Sequence, residues 1–135
     1  MMFMKKLWKL KIKPYNSGKI AEFICRLYMM FLGYKIIAKN YRCGSGKNTP
    51  YGEIDFIAVK NKRIVFCEVK KRNSQKSFWK ALSYNQQQRI LRGGRYFINA
   101  NPKYKKYTTQ YDVFWIKLPF NIKRFKNALF IDKTL

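Results

Sequence analysis

The sequence predicts a small α/β domain in which one β-sheet is covered by helices on both faces, and three observations carry that prediction. A chain of 135 residues falls within the roughly 100 to 200 residues of a single compact domain. Two β-type runs, 53–59 and 63–70, flank a tight polar connection at Asn61 and Lys62. Both faces carry apolar side chains, Ile54, Phe56 and Ala58 on one and Ile57 and Val59 on the other, as expected of a sheet packed from two sides. Stretches of helical period precede and follow this pair.

Taken in order, residues 1–15 read as a basic arm ending near Pro14, and 16–135 as one domain. Ser17 is the expected N-cap of a helix whose apolar positions are Ile20, Phe23, Ile24, Leu27, Tyr28 and Phe31, with Gly33 as its stop. A strand is expected over 34–41, and the Gly-, Ser- and Asn-rich segment 44–50 is a loop. The hairpin follows. Residues 78–97 read as one helix with Trp79, Leu82, Ile90 and Leu91 on its apolar face, 111–118 as a strand bounded by Pro119, and 121–135 as a short amphipathic tail.

Composition then narrows the function. Thirty Lys and Arg against six Asp and Glu give a formal charge of +24, which nominates a polyanionic partner, nucleic acid first and anionic lipid under the N-terminal arm second. A hydrophobic content of 47% excludes a disordered basic tail. With no histidine, Ser-His-Asp and Cys-His catalysis and imidazole-ligated metals are excluded, leaving carboxylate, lysine and hard-metal chemistry. There is no phosphate-binding glycine loop; Gly93 and Gly94 read as a helix terminus or local break. The longest uncharged run, 27–34, has eight residues, short of the roughly 18 a membrane span needs. The start has no secretory h-region, and Cys25, Cys43 and Cys67 lack metal-site spacing, so ordinary thiols in a reducing cytoplasm are expected.

The scarce acids are Glu22, Glu53, Asp55, Glu68, Asp112 and Asp132. If Asn61 and Lys62 form a two-residue turn, Lys60 pairs with Arg63, which sets Asp55 opposite Glu68 and Glu53 opposite Lys70 on one face. Carboxylates about 5 Å apart across a strand pair repel unless something positive sits between them. Mg2+ or Mn2+ suits an all-oxygen site and activates water towards phosphorus, with Lys70 placed to stabilise charge on phosphate. The other reading is a solvated network in which Lys70 neutralises Glu53 and Glu68.

Asp55, twelve intervening residues and then Glu68-Val69-Lys70 are similar to the signature of the PD-(D/E)XK nuclease superfamily. More closely, the chain resembles the YraN-like family of small bacterial proteins, related in fold to Holliday junction resolvases. The resemblance covers 17–131 and rests on G-K-I-A-E at 18–22, L-G-Y at 32–34, A-K-N-Y-R at 38–42, G-E-I-D-F-I-A at 52–58, V-F-C-E-V-K-K-R at 65–72, Q-Q-R-I at 87–90, Y-D-V at 111–113 and N-A at 127–128. It implies a restriction-endonuclease-like αβββαβ core with a central mixed sheet. It also implies a metal site of Asp55, Glu68 and the Val69 carbonyl, with Lys70 as catalytic lysine and Glu22 completing the site through water. Glu22 is equally suited to an i, i+4 pair with Arg26. Asp112 is expected to make a structural hydrogen bond.

Candidate nucleic-acid contacts are Lys71, Arg72, Gln87 and Arg89, with an exposed helix face as the other reading of Gln87. Two departures stand out: the inserted segment 44–51, expected as a basic lip beside the site, and Gln86 where the family often has lysine, which removes a phosphate contact. Aromatics alternate with bases at 78–80, 104–107 and 120–125, and core packing is expected for most of these rings. The expected function is a nucleic-acid-binding, metal-dependent endonuclease acting on branched or structured DNA, without a small-molecule cofactor. A non-catalytic nucleic-acid-binding module of the same fold is the alternative. A homodimer is implied by fold analogy alone.

Overall fold

A computed structural model describes residues 14–44, 50–118 and 121–129. Residues 1–13 of the expected arm, most of the inserted segment and Asp132 lie outside them. From Pro14 the chain is already helical. Helix α1 spans Pro14–Phe31, opening on a proline, which lacks the N–H that a first turn leaves unpaired. Ser17 is therefore not the N-cap: it lies inside the helix, buried, and its hydroxyl accepts a 2.8 Å hydrogen bond from Lys71 Nζ. The stop falls where expected. Gly33, at φ 91°, donates to Met30 O while Tyr34 donates to Met29 O, satisfying the last carbonyls of the helix.

Strands β1 (Lys35–Cys43), β2 (Gly52–Lys60) and β3 (Arg63–Lys71) form an antiparallel meander. Asn61 and Lys62 hold φ of 48° and 58°, as in the two-residue turn whose twist matches its flanking strands, and Lys60 pairs with Arg63 as the spacing predicts. Residues 78–97 are not one helix. The chain forms α2 (Gln75–Ala81) and α3 (Tyr84–Ala100), capped by Ser74 and Ser83, whose hydroxyls accept from Ser77 N and Gln86 N. After a 3-10 turn at Pro102–Tyr104, β4 (Thr108–Lys117) runs parallel to β3, the crossover being supplied by the helices. The expected tail begins instead with a fifth strand, β5 (Asn121–Phe125), antiparallel to β4.

The sheet has the order β1-β2-β3-β4-β5, and both faces are covered, as predicted for α/β packing. On one side α1 brings Ala21, Cys25 and Met29 against Phe56, Ala58, Val65, Cys67, Phe114 and Ile116. On the other α2 and α3 bring Phe78, Leu82, Ile90, Leu91 and Phe97 against Ile54, Ile57, Ile64, Phe66 and Val113. Ile54 thus shares the face of Ile57 rather than that of Phe56. Alternation along β2 slips at Asp55 and Phe56, opposite Asn40 of β1, which adopts φ 51°. Gly93 and Gly94 do not break α3. A Cβ at Gly94 would strike the Tyr111 ring, and a Cβ at Gly52 would lie 2.5 Å from Gly93 N, so α3 meets β2 backbone to backbone.

The rings interleaved with bases largely pack, as expected. Phe78 stacks on Trp115 and Phe125 at 5.6 and 5.4 Å, and Tyr104 on Phe97 at 5.9 Å. Among the described residues no helix is long and apolar enough to cross a membrane, and the three cysteines are buried free thiols.

At the outer strands Asp112, 1% exposed, accepts from Arg124 Nε at 2.7 Å, Gln110 Nε2 at 2.8 Å and Asn127 N at 2.9 Å. It joins β4 to β5 and the chain beyond, the structural role expected of it. Removing one partner of a buried ion pair strands the other charge, at about 3 to 5 kcal/mol. Arg124→Met is therefore expected to lower the unfolding free energy by about 3 kcal/mol in urea titrations, whereas Arg42→Ala, at a more exposed pair, should cost under about 1 kcal/mol. Equal costs would remove the special role of Asp112.

Candidate active site

The β2–β3 ladder runs in register from Lys60 and Arg63 to Phe56 and Cys67 and stops there. The next residues on each strand are Asp55 and Glu68, and in place of a further rung Asp55 Oδ2 accepts a 2.7 Å hydrogen bond from Val69 N. The slip in β2 turns the Asp55 carboxylate towards α1, beside Glu22, and across β3 towards Glu68. Glu68 is only 4% exposed. Its Oε1 lies 3.1 Å from Lys70 Nζ and receives Gln86 Nε2 at 3.1 Å, while Oε2 is buried with no hydrogen-bond partner.

An orphaned carboxylate oxygen beside a second carboxylate is costly, and the acids register it. Burial, followed by the negative charge of Glu68, pushes Asp55 well above the usual carboxylate range, against the opposing pull of Val69 N–H and Lys70. Glu68 is raised by burial despite Lys70. Glu22 is pushed up to about 7, first by burial and then by Asp55, with Arg26 and Lys19 opposing. Burial, then the charge of Asp55, also drives the Cys25 thiol up to about 12, so it stays protonated. Among the described residues no three His, Cys, Asp or Glu side chains are already arranged as a metal cage. Two facing carboxylates and one unsatisfied oxygen are what the protein provides.

The structure brings together Asp55, Glu68, Lys70 and Glu22 of the sequence-predicted set, with Val69 contributing its N–H to Asp55. Glu53 departs from expectation. It does not pair with Lys70 but with Arg42, directly opposite on β1, at 3.1 Å. Lys71 is engaged with Ser17, and Arg72 donates to Lys71 O at 2.7 Å and accepts from Trp115 Nε1 at 3.0 Å. Both stand at the strand end beside the site, half-buried. Gln87 leaves the site: its amide donates to Leu82 O at 2.9 Å, closing the end of α2. Its neighbour Gln86 is the residue that reaches Glu68. The sequence signal was available, since Ser83 three residues before Gln86 is a capping pattern that fixes the start of α3 and hence which glutamine points inward. Arg89 is half-buried on the same helix.

Comparison with known proteins adds a lineage to this geometry. The model described as "Uncharacterised protein family UPF0102" matches residues 21–116, a span that includes every carboxylate of the cluster. A UPF0102 protein of Ehrlichia ruminantium (strain Gardel) is 36% identical over 115 residues, covering 84% of this chain and 84% of the relative. One from Bradyrhizobium diazoefficiens is 33% identical over 124 residues, covering 92% and 88%. One from Caldanaerobacter subterraneus subsp. tengcongensis is 33% identical over 110 residues, covering 80% and 84%.

The raised carboxyls have a consequence for the metal-free fold. Each binds its proton more tightly folded than unfolded, so its contribution to stability is full below the unfolded pKa and is lost as pH rises, for Glu22 between 4.5 and about 7. Urea titrations in EDTA should give a lower midpoint near about pH 8 than near about pH 5, and Glu22→Gln should flatten the difference. A wild-type midpoint that does not fall over this interval would mean that burial, with the neighbouring charge added to it, does not raise these carboxyls.

Proposed function

Because the chain belongs to the UPF0102 (YraN) family, and because three of its six acids, Glu22, Asp55 and Glu68, converge where the β2–β3 ladder ends, we propose that it is a nucleic-acid-binding protein of nuclease fold that hydrolyses phosphodiester bonds in branched or structured DNA with the help of a divalent cation. The observation that carries this reading is half-buried Asp55 beside buried Glu68, with no protein N–H on Glu68 Oε2 and Lys70 alongside, on a chain of +24.

The donors fit a hard cation. Asp55 and Glu68 offer charged oxygens, and the Val69 carbonyl is the natural third donor, a set that suits Mg2+ or Mn2+ rather than a softer metal. Such an ion, when bound, polarises the phosphate and lowers the pKa of water at the site. The remaining work belongs to the protein. Lys70 holds a positive charge 3.1 Å from Glu68 Oε1, where it can neutralise charge building on a phosphate oxygen. Gln86 fixes the rotation of the Glu68 carboxylate from α3, leaving Oε2 turned to its own side. Val69 N–H does the same for Asp55, and Glu22 approaches the cluster from α1, where it can orient solvent. The surrounding lysines and arginines attract the phosphate backbone, so affinity should fall steeply with salt.

One feature favours the competing, non-catalytic reading: Lys70 and Gln86 both already satisfy Glu68 Oε1, as a purely structural network would. Incubation of linear, flap and four-way DNA with Mn2+ separates the two. Wild type is expected to cut at least one branched substrate, Glu68→Gln to lose roughly 100-fold or more of the rate with binding retained, and Glu53→Gln to stay within about threefold of wild type, since Glu53 serves Arg42. No cleavage by wild type across the panel, or cleavage indifferent to Glu68→Gln, would leave the binding module as the reading.

A further inference from the structure

Away from the carboxylates, α3 presents a face that the proposed chemistry does not use. Gln88, Arg92, Arg95, Tyr96 and Asn99 recur at helical spacing along its outer side and, with Tyr51, line an open groove of about 360 Å³. No acid lines it. Tyr51 and Tyr96 are 55% and 50% exposed; Phe23, Phe31, Trp79 and Tyr84 are exposed as well, but these two share one groove with two arginines. Arg92 is fixed in the groove: its guanidinium carbon lies 4.5 Å from the centre of the Tyr51 ring, and its Nε donates to Tyr51 O at 2.7 Å.

The backbone makes this arrangement rigid. Tyr51 precedes Gly52 and Arg92 precedes Gly93, the two glycines at which β2 and α3 touch without side chains between them. Ring and guanidinium are therefore set side by side by the closest contact between strand and helix. The groove also points somewhere. From Gln88 to Asn99 the face runs about 16 Å along the helix, and the end nearer Gln88 is the end at which Gln86 touches Glu68. Along β2, Tyr51 stands four residues before Asp55, about 13 Å in an extended strand.

We propose that this face is a subsite for an unpaired nucleic-acid strand, in which Tyr51, backed by Arg92, and Tyr96 stack against bases while Arg95 takes the backbone phosphates. Exposed rings at about half their surface gain nothing from a duplex, whose bases are stacked on one another. They gain from bases that are free, and stacking on tyrosine or on an arginine plane tolerates any sequence. The absence of acids in the groove and the charge of the whole chain supply the complementarity for phosphate. The subsite rests on the nucleic-acid reading above but not on cleavage.

Binding without metal tests it. Fluorescence anisotropy of the full chain in EDTA would compare a labelled oligothymidylate with a blunt hairpin duplex, with circular dichroism melting to confirm that each variant folds. Tyr96→Ala is expected to weaken the single strand roughly tenfold and the hairpin by less than about twofold, Tyr96→Phe to restore single-strand binding, and Lys103→Ala, on an exposed turn elsewhere, to show no such selectivity. Equal losses on both probes, or none on either, would overturn the subsite while leaving the nucleic-acid reading intact. A wild type that binds neither probe would overturn both. Loss of Mn2+-dependent cleavage in Glu68→Gln does not enter this measurement.

Discussion

The hydrogen bond from Val69 N to the Asp55 carboxylate is the constraint on which the candidate site depends. A strand pair normally spends its amides on the opposite backbone. Here a side chain takes one, the rung at Asp55 and Glu68 is never made, and the two strands part at the level of their acids. That parting opens the end of the sheet, and the accompanying slip in β2 turns Asp55 towards α1 while keeping Ile54 and Ile57 on the α3 side. The sheet continues past the break because β3 has a second partner: its parallel ladder with β4 runs from Arg63 to Lys71 without interruption. One side of β3 is thus free to be irregular because the other is not.

The two buried carboxylate environments make an instructive contrast. Asp112 receives an arginine, a glutamine amide and a backbone N–H, so its oxygens are fully used. Glu68 is also buried but keeps an oxygen to which no protein N–H donates, and the hydrogen bond it shares with Asp55 requires a proton between the two acids, which raises Asp55 as it lowers Glu68. Burial of a charged group is ordinarily tolerated only when its partners are present. The first acid holds strands together; the second imposes a local cost that the rest of the fold offsets.

Much of the fold is legible in the sequence because its strongest signals are local. Asn61 and Lys62 between two alternating runs specify turn, register and the meeting of Asp55 with Glu68, and Gly33 marks a helix end that needs positive φ. What was hidden depends on partners remote in sequence or on small rotations. Glu53 was assigned from the hairpin alone, whereas β1, on the other side of β2, supplies Arg42. Helices α2 and α3 merge in the periodicity because Leu82, Ile90 and Leu91 face the same core across the break, whereas Trp79, expected with them, is 46% exposed and Phe78 is buried in its place. The fifth strand is short and earns its place only by pairing with β4. Gln86 and Gln87 differ by about 100° around the helix axis, and only the Ser83 cap decides which one meets Glu68.

The contact of Gly52 with Gly93 reaches beyond packing. Two backbones touching without side chains leave little room to slide, so β2 and α3 behave as one rigid piece carrying Asp55 on the strand and Arg92 on the helix. Distances measured along that piece are set by this close packing and by the regular backbone of strand and helix. A polymer resting on both would be gauged by it as by a ruler: the bond lying at the carboxylates would stand a fixed number of nucleotides from the one lying on the tyrosines, whatever the sequence between them.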